Sequence, residues 1–199
     1  MHLDFSKKRI LVVGDVMLDQ YAYYISTGQS AEAPVPILKE NDNIINRLGG
    51  AANVAANLNS LGVNTTLSGV IGYDKDATTF SSLLASTCIK HHIFVDNNRP
   101  TTRKRRILAS SKAHPHYQVV RLDRESTNPI SQDLEHKVIA MLLPEVKKHD
   151  VLIFSDYAKG FLTKSLIIEL KNEALAHGIP IIVDAKPSSI DYYEGSTLF

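Results

Sequence analysis

Short apolar runs recur along the chain at intervals too long for hairpins, and most of them end on glycine or an acidic residue. Arg9 to Val13 (RILVV) runs into Gly14-Asp15, the pattern of a buried strand that delivers polar groups at its C-terminal end. From Gly49 the period changes to three and four, with Ala51, Val54, Ala55, Leu58 and Leu61 recurring and Gly62 standing where a helix C-cap glycine belongs. Thr65 to Ile71 reads as the next strand, Asp76 to Ala85 as a helix with Phe80, Leu83 and Leu84 inward, and His92 to Val95 as a strand. Farther on, Asn128-Pro129-Ile130-Ser131 opens a helix carrying Leu134, Val138, Met141 and Leu142, followed by the strand Val151 to Ser155. Thr163 caps a helix that runs through Leu166, Ile167 and Leu170 to Gly178, and Pro180 to Asp184 is the strand after it. Strands alternating with helices predict an α/β, doubly wound, mostly parallel sheet covered on both faces, with ligands at the C-terminal ends of its strands.

Two segments break the alternation. Tyr21 to Lys39 and Thr101 to Arg121, the latter turning through SSKAHPHY, fit no βαβ unit and predict a small antiparallel lid over the C-terminal edge of the sheet. The ending Ser196-Thr197-Leu198-Phe199 reads as the start of a further strand, so the fold is expected to be incomplete at its C-terminal side.

Length and charge narrow the picture. With 199 residues, 44% of them hydrophobic, one domain over 1–199 is expected. Lys and Arg number 22 against 21 Asp and Glu, so no global field draws the chain to nucleic acid or an anionic membrane, and any bound anion must be met locally. No signal-peptide pattern opens the chain and no run is long enough to span a bilayer, which points to a cytoplasmic protein. Cys88, the single cysteine, rules out an internal disulfide and reads as a small buried apolar residue.

Four groups carry candidate chemistry. Asp15 and Asp19 follow the first strand and could both accept from sugar hydroxyls in a crevice, or cap a turn and be solvated. Gly49-Gly50 ahead of a helix whose first turn holds Asn53 suits either an oxygen-rich ligand at a helix N-terminus or close helix–sheet packing. It is neither GxGxxG nor GxxxxGK[ST], which disfavours a dinucleotide site and a P-loop. In Thr101 to Arg106 (TTRKRR), period two sends Arg103 and Arg105 one way and Lys104 and Arg106 the other. One face could grip phosphate, or the charges could guard an edge strand; without aromatic interleaving, nucleic acid is disfavoured. Ser155 to Gly160 (SDYAKG) and Asp184 to Pro187 (DAKP) each place an acid and a lysine at the sheet edge, for phosphates and Mg²⁺ or as surface ion pairs. His91, His92, His114 and His116 lack metalloprotease spacing and are assigned no metal.

In order, GDVMLD, SAEAPVP (Ser30 to Pro36), RLGGAANVAANLNSLG, TRKRRIL, VVRLD, SDYAKG and VDAK resemble the ribokinase (PfkB) carbohydrate kinases over nearly the whole chain, and most closely their heptose-7-phosphate kinase branch. That resemblance implies a ribokinase-like fold and phosphorylation of the anomeric hydroxyl of D-glycero-β-D-manno-heptose 7-phosphate by Mg·ATP, a step toward ADP-heptose. It implies sugar contacts at Asp15, Asp19, Gly49, Gly50 and Asn53, and phosphate contacts at Lys104 with Arg103 or Arg106. Lys159, Asp184 and Lys186 would border the phosphoryl-transfer site, and the lid would pair two subunits. Ala185 departs from the usual VDPK. The family's Gly-Ala-Gly-Asp motif, with its catalytic aspartate and anion hole, does not occur in the 199 residues. The resemblance therefore implies no catalytic residue here, no tight binding of ATP or Mg²⁺ to this chain alone, and little turnover. A non-catalytic sugar-phosphate-binding module and a PfkB kinase for another sugar stand as alternatives.

Overall fold

The computed structural model describes residues 4–111 and 116–198. Among them, β1 (Arg9–Gly14) is followed by β2 (Val16–Gln29), β3 (Pro36–Gly50), α1 (Ala51–Ser60), β4 (Asn64–Ile71), α2 (Lys75–Ala85) and β5 (Lys90–Val95). Then come β6 (Arg103–Ser110), β7 (Tyr117–Arg124), α3 (Gln132–Val146), β8 (Val151–Asp156), α4 (Lys164–Ala176), β9 (Ile181–Ala185) and a short 3-10 helix, Pro187–Tyr193.

The main sheet has the order β5-β4-β1-β8-β9 and is parallel throughout. Strand alternation divides its core in two. Leu11 and Val13 of β1 and Leu152 and Phe154 of β8 pack with Val138 and Leu142 of α3 and Leu166 and Leu170 of α4. Val12 and Ile153, one residue out of phase, pack with Ala51 and Ala55 of α1 and Phe80 and Leu84 of α2. Both faces are thus covered, which is why the central strands read as unbroken apolar runs. Asp74, Ser131 and Thr163 accept from the backbone N–H groups of Ala77, Leu134 and Leu166, so each fixes a helix start where the sequence puts a capping residue. Leu198 pairs with Ile182 in a parallel bridge beside β9, in line with the strand-like ending; Phe199 lies outside the described residues.

The lid differs from expectation. It is a four-stranded sheet in the order β3-β2-β6-β7, and its central pair, β2 with β6, is parallel. The reason is topological: β2 leaves the C-terminal end of β1 and β6 follows that of β5, so both run away from the same sheet edge, while β3 and β7 return antiparallel beside them. The lid also starts earlier than Tyr21 and absorbs the residues through Gly50, so Asp19 and Gly49-Gly50 are lid residues. Its Ser110–Tyr117 turn falls partly at residues 112–115, outside the described residues. Three apolar assignments fail as well. Leu61 is 62% and Met141 48% exposed, one residue beyond α1 and on the outer side of α3, and Cys88 is exposed in the α2–β5 connection rather than buried.

Candidate functional site

The strand ends that the sequence marks as polar converge where the lid rises from the main sheet. Asp15, between β1 and β2, is 3% exposed. Its Oδ2 accepts from the backbone N–H groups of Tyr157 (2.8 Å) and Lys159 (3.0 Å), and its Oδ1 from that of Phe161 (3.4 Å). Burial raises its pKa above the ordinary carboxylate value and the neighbouring Asp156 charge adds to this, against the three N–H groups. The carboxylate is thus spent on the loop after β8. That loop holds Ala158 at φ 55, a left-handed conformation that costs a non-glycine residue about 1 kcal/mol, so it needs such anchoring. Asp156 anchors its base, accepting from Ser189 Oγ (2.6 Å), Tyr193 Oη (2.9 Å) and the Ala158 N–H (2.8 Å). Arg99, 7% exposed, completes the clamp with Nη1 on the Lys159 carbonyl (3.0 Å), Nη2 on that of Asn128 (2.9 Å) and Nε on Asp96 (3.0 Å).

Gly49 and Gly50 end β3 and lead into α1. A Cβ on Gly49 would stand 2.5 Å from Asp19 Oδ2, and one on Gly50, at φ 57, would stand 2.3 Å from the Asp15 carbonyl. Close packing therefore requires both glycines, and Gly49 leaves the space that the Asp19 carboxylate uses. No side chain caps α1, and Asn53 stands exposed in its first turn. The Ala51 N–H donates to the Asp15 carbonyl at 3.0 Å, which leaves the N–H groups of Ala52 and Asn53 to meet ligand oxygens.

Period two holds in β6. Register pairs Lys104 with Asp19 and Asp123, and Arg106 with Tyr21 and Arg121, on one face of the lid. There Arg106 Nη1 meets Asp19 Oδ1 at 2.6 Å, and Arg121 Nε meets Asp123 Oδ1 at 2.8 Å. The hydrogen bonds from Arg121 hold the Asp123 carboxyl below its ordinary pKa. Just past β7 on the same face, Glu125 Oε1 takes Lys159 Nζ at 2.7 Å, so the ion-pair alternative for Lys159 is the one observed. Arg103 and Arg105 lie on the opposite face. Arg103 Nη1 is 3.0 Å from Asp76 Oδ2 at the start of α2, and Arg105 donates to Gln20, which donates to Asn46 at 2.8 Å. Arg103 is thereby turned away from Lys104, so that of the two partners expected for Lys104 on a phosphate, Arg103 or Arg106, it is Arg106 that shares its face.

Among the described residues, Lys104 and Lys186 meet no carboxylate. Their Nζ atoms lie 6.0 and 5.9 Å from the centroid of the Tyr157 ring. Asp184, at the end of β9, is exposed nearby, and burial followed by the Asp184 and Asp19 charges raises the Tyr157 pKa, keeping the phenol protonated. Lys186 and Asp184 are of the residue types that could hold a nucleotide phosphate and its hydrated Mg²⁺, while Lys159 is engaged by Glu125. Among the described residues no three His, Cys, Asp or Glu side chains group closely enough to hold a metal ion, and His114 lies outside them.

Sequence reasoning missed Arg99, Glu125 and the ring of Tyr157. Extending the period of β7 from Arg121 and Asp123 would have placed Glu125 on the crevice face. Nothing in the local pattern singles out Arg99, whose partners are carbonyls 29 and 60 residues away.

Residues 7–195 match the family described as pfkB family carbohydrate kinase. The chain is 40% identical over 197 residues to the bifunctional protein HldE of Proteus mirabilis, covering 98% of this chain and 39% of that protein. It is 41% identical over 194 residues to the HldE of Methylobacillus flagellatus, covering 94% and 38%. The chain thus spans about two-fifths of the length of these curated relatives. Among solved structures, a possible 1-phosphofructokinase from Thermotoga maritima superposes with a TM-score of 0.72 at 17% identity, over 96% of this chain and 58% of that one. The tetrameric inhibited form of phosphofructokinase-2 from Escherichia coli gives 0.62 at 17% identity, over 93% and 57%.

Proposed function

The chain belongs to the pfkB family of carbohydrate kinases, and from that premise we propose that it is the sugar-phosphate-binding portion of a D-glycero-β-D-manno-heptose-7-phosphate kinase acting in the cytoplasm. The observation that carries the reading is Lys104. It is a lid cation with no carboxylate partner among the described residues, on the face that also bears Asp19 and Arg106 and beside the loop after β8. A phosphorylated sugar fits this arrangement better than a free one. Its phosphate takes Lys104, with Arg106 joining as it exchanges Asp19 for the ligand. Asp19, so released, accepts from sugar hydroxyls, while the start of α1 after Gly49-Gly50 and the Asn53 amide meet the remaining oxygens. Asp15 and Arg99 act from behind by holding the loop that carries Tyr157.

Bound Mg·ATP would supply the phosphoryl group, with Asp184 and Lys186 facing its phosphates. The 199 residues contain no Gly-Ala-Gly-Asp sequence to deprotonate the sugar hydroxyl and hold the transferring group. The chain by itself is therefore expected to bind and not to turn over. A thermal-shift series tests this, because a ligand of the folded state raises its unfolding temperature by mass action. Heptose 7-phosphate should shift the transition more than fructose 1-phosphate, and ribose should not shift it. Mg·ATP with heptose 7-phosphate should yield no bisphosphate. A larger shift with ribose would remove the sugar-phosphate reading, and multiple turnover would remove the claim that the chain only binds.

The other face of the lid supports pairing with a second copy. Ile44, Ala22, Ile107 and Val120 register across all four strands, and Ile44, Val120 and the adjacent Leu122 are 46%, 45% and 49% exposed. An apolar row on a sheet with open edges is stabilised by a second copy covering it. Sedimentation velocity should show a dimer that Leu122→Lys converts to monomer; a wild-type monomer at tens of micromolar would refute the pairing.

A further inference from the structure

Among the described residues, the cations on the crevice side of the lid and sheet edge each have a partner. Arg106, Arg121 and Lys159 have carboxylates at 2.6, 2.8 and 2.7 Å, and Arg47 lies 5.7 Å from the centroid of the Tyr21 ring. Lys104, from the lid, and Lys186, from the end of β9, converge on one ring, that of Tyr157. These two lysines sit on different sheets and 82 residues apart, so nothing local brings them together. The backbone that carries the ring is anchored. The Tyr157 backbone N–H donates to buried Asp15 at 2.8 Å, and the loop two residues on is tied to Asp15 and Arg99.

We infer that Tyr157 is a positioning residue that gathers Lys104 of the lid and Lys186 of the sheet edge on its ring, holding the lid in register with the main sheet until phosphate oxygens take the two ammonium groups. An ammonium over a tyrosine ring gains modestly, enough to confine a flexible lysine yet far less than a charge-assisted bond to phosphate. A carboxylate in the same place would compete with the ligand for both lysines. A protonated phenol holds them without neutralising them, and Asp15 keeps the Tyr157 backbone fixed while the lysines leave the ring. Because the role depends on the ring and not on the hydroxyl, phenylalanine should replace it and leucine should not.

The ligand half of this inference rests on the sugar-phosphate reading, and the lid half does not, so the test has two arms. In the first, amide hydrogen exchange is measured on the ligand-free 199-residue chain. Tyr157→Leu should exchange about threefold to tenfold faster over β6, Tyr157→Phe should match the wild type, and Lys104→Met should reproduce the effect of Tyr157→Leu from the other side of the contact. In the second, heptose 7-phosphate is titrated calorimetrically. Tyr157→Leu should weaken binding about fivefold, Tyr157→Phe less than twofold, and Tyr157→Leu should have little further effect in the Lys104→Met background. Wild-type exchange over β6 in both Tyr157→Leu and Lys104→Met overturns the inference, as does a Tyr157→Phe variant as impaired as the leucine one. Absence of any wild-type binding would instead defeat the sugar-phosphate reading, and the exchange arm would still decide whether Tyr157 holds the lid.

Discussion

Asp15→Ala should lower the stability of the chain by about 3 kcal/mol, among the largest losses expected of any single polar substitution here. The carboxylate is 3% exposed, and its removal strands the N–H groups of Tyr157, Lys159 and Phe161, two of them bonded at 2.8 and 3.0 Å. Buried donors without acceptors cost about 1–3 kcal/mol each, less where water can enter. Asp15→Asn behaves differently. Its carbonyl can keep the two bonds now made by Oδ2, and the neutral amide avoids burying a charge, so it should stay within about 1 kcal/mol of wild type. The raised pKa of Asp15 gives the pH dependence its sign. The folded chain binds this proton more tightly than the unfolded one, so the contribution is complete below about pH 4 and is lost as pH rises through the folded pKa. Urea denaturation of the three proteins between pH 4 and 7 measures both effects. An alanine variant within 1 kcal/mol of wild type at neutral pH would mean that these hydrogen bonds do not hold the loop.

Lys104→Met should weaken heptose 7-phosphate binding about thirtyfold, within the 10- to 100-fold range of one charge-assisted bond, while any weak affinity for the unphosphorylated sugar changes little. Arg106→Met should lose less, because it also frees Asp19 from its ion pair at 2.6 Å. Arg103→Met should leave affinity within about twofold, since its guanidinium serves Asp76 on the far face of the lid. Calorimetric titration of the three variants ranks them. An Arg103 effect as large as that of Lys104 would show that the ligand-bound lid turns its other face inward.

Much of this molecule follows from short-range pattern. The period-two phase of Leu11, Val12 and Val13 assigns core residues to two faces, Ser131 and Thr163 mark where helices begin, and the apolar run before Asp156 locates a buried strand that ends in the site. Such features depend on a residue and its neighbours within a turn or a strand, and the chain carries them wherever it is placed. The alternation of Arg103 to Arg106 was likewise legible, but not which face met the crevice, because that depends on which strand lies beside β6. Parallel pairing of β2 with β6 decided it, and with it the partners of Lys104 and Arg103. Asp15 shows the same limit. Its position beyond β1 was plain, yet its three donors lie 142 to 146 residues away, and only the fold determines whether such a carboxylate faces ligand or backbone. The sequence by itself therefore determined the layers, the sheet edge that carries the chemistry and the residue types found there. The tertiary structure alone decided which charges neutralise one another and that Lys104 and Lys186 meet on one ring, because electrostatic pairing is set by distance in space and not along the chain.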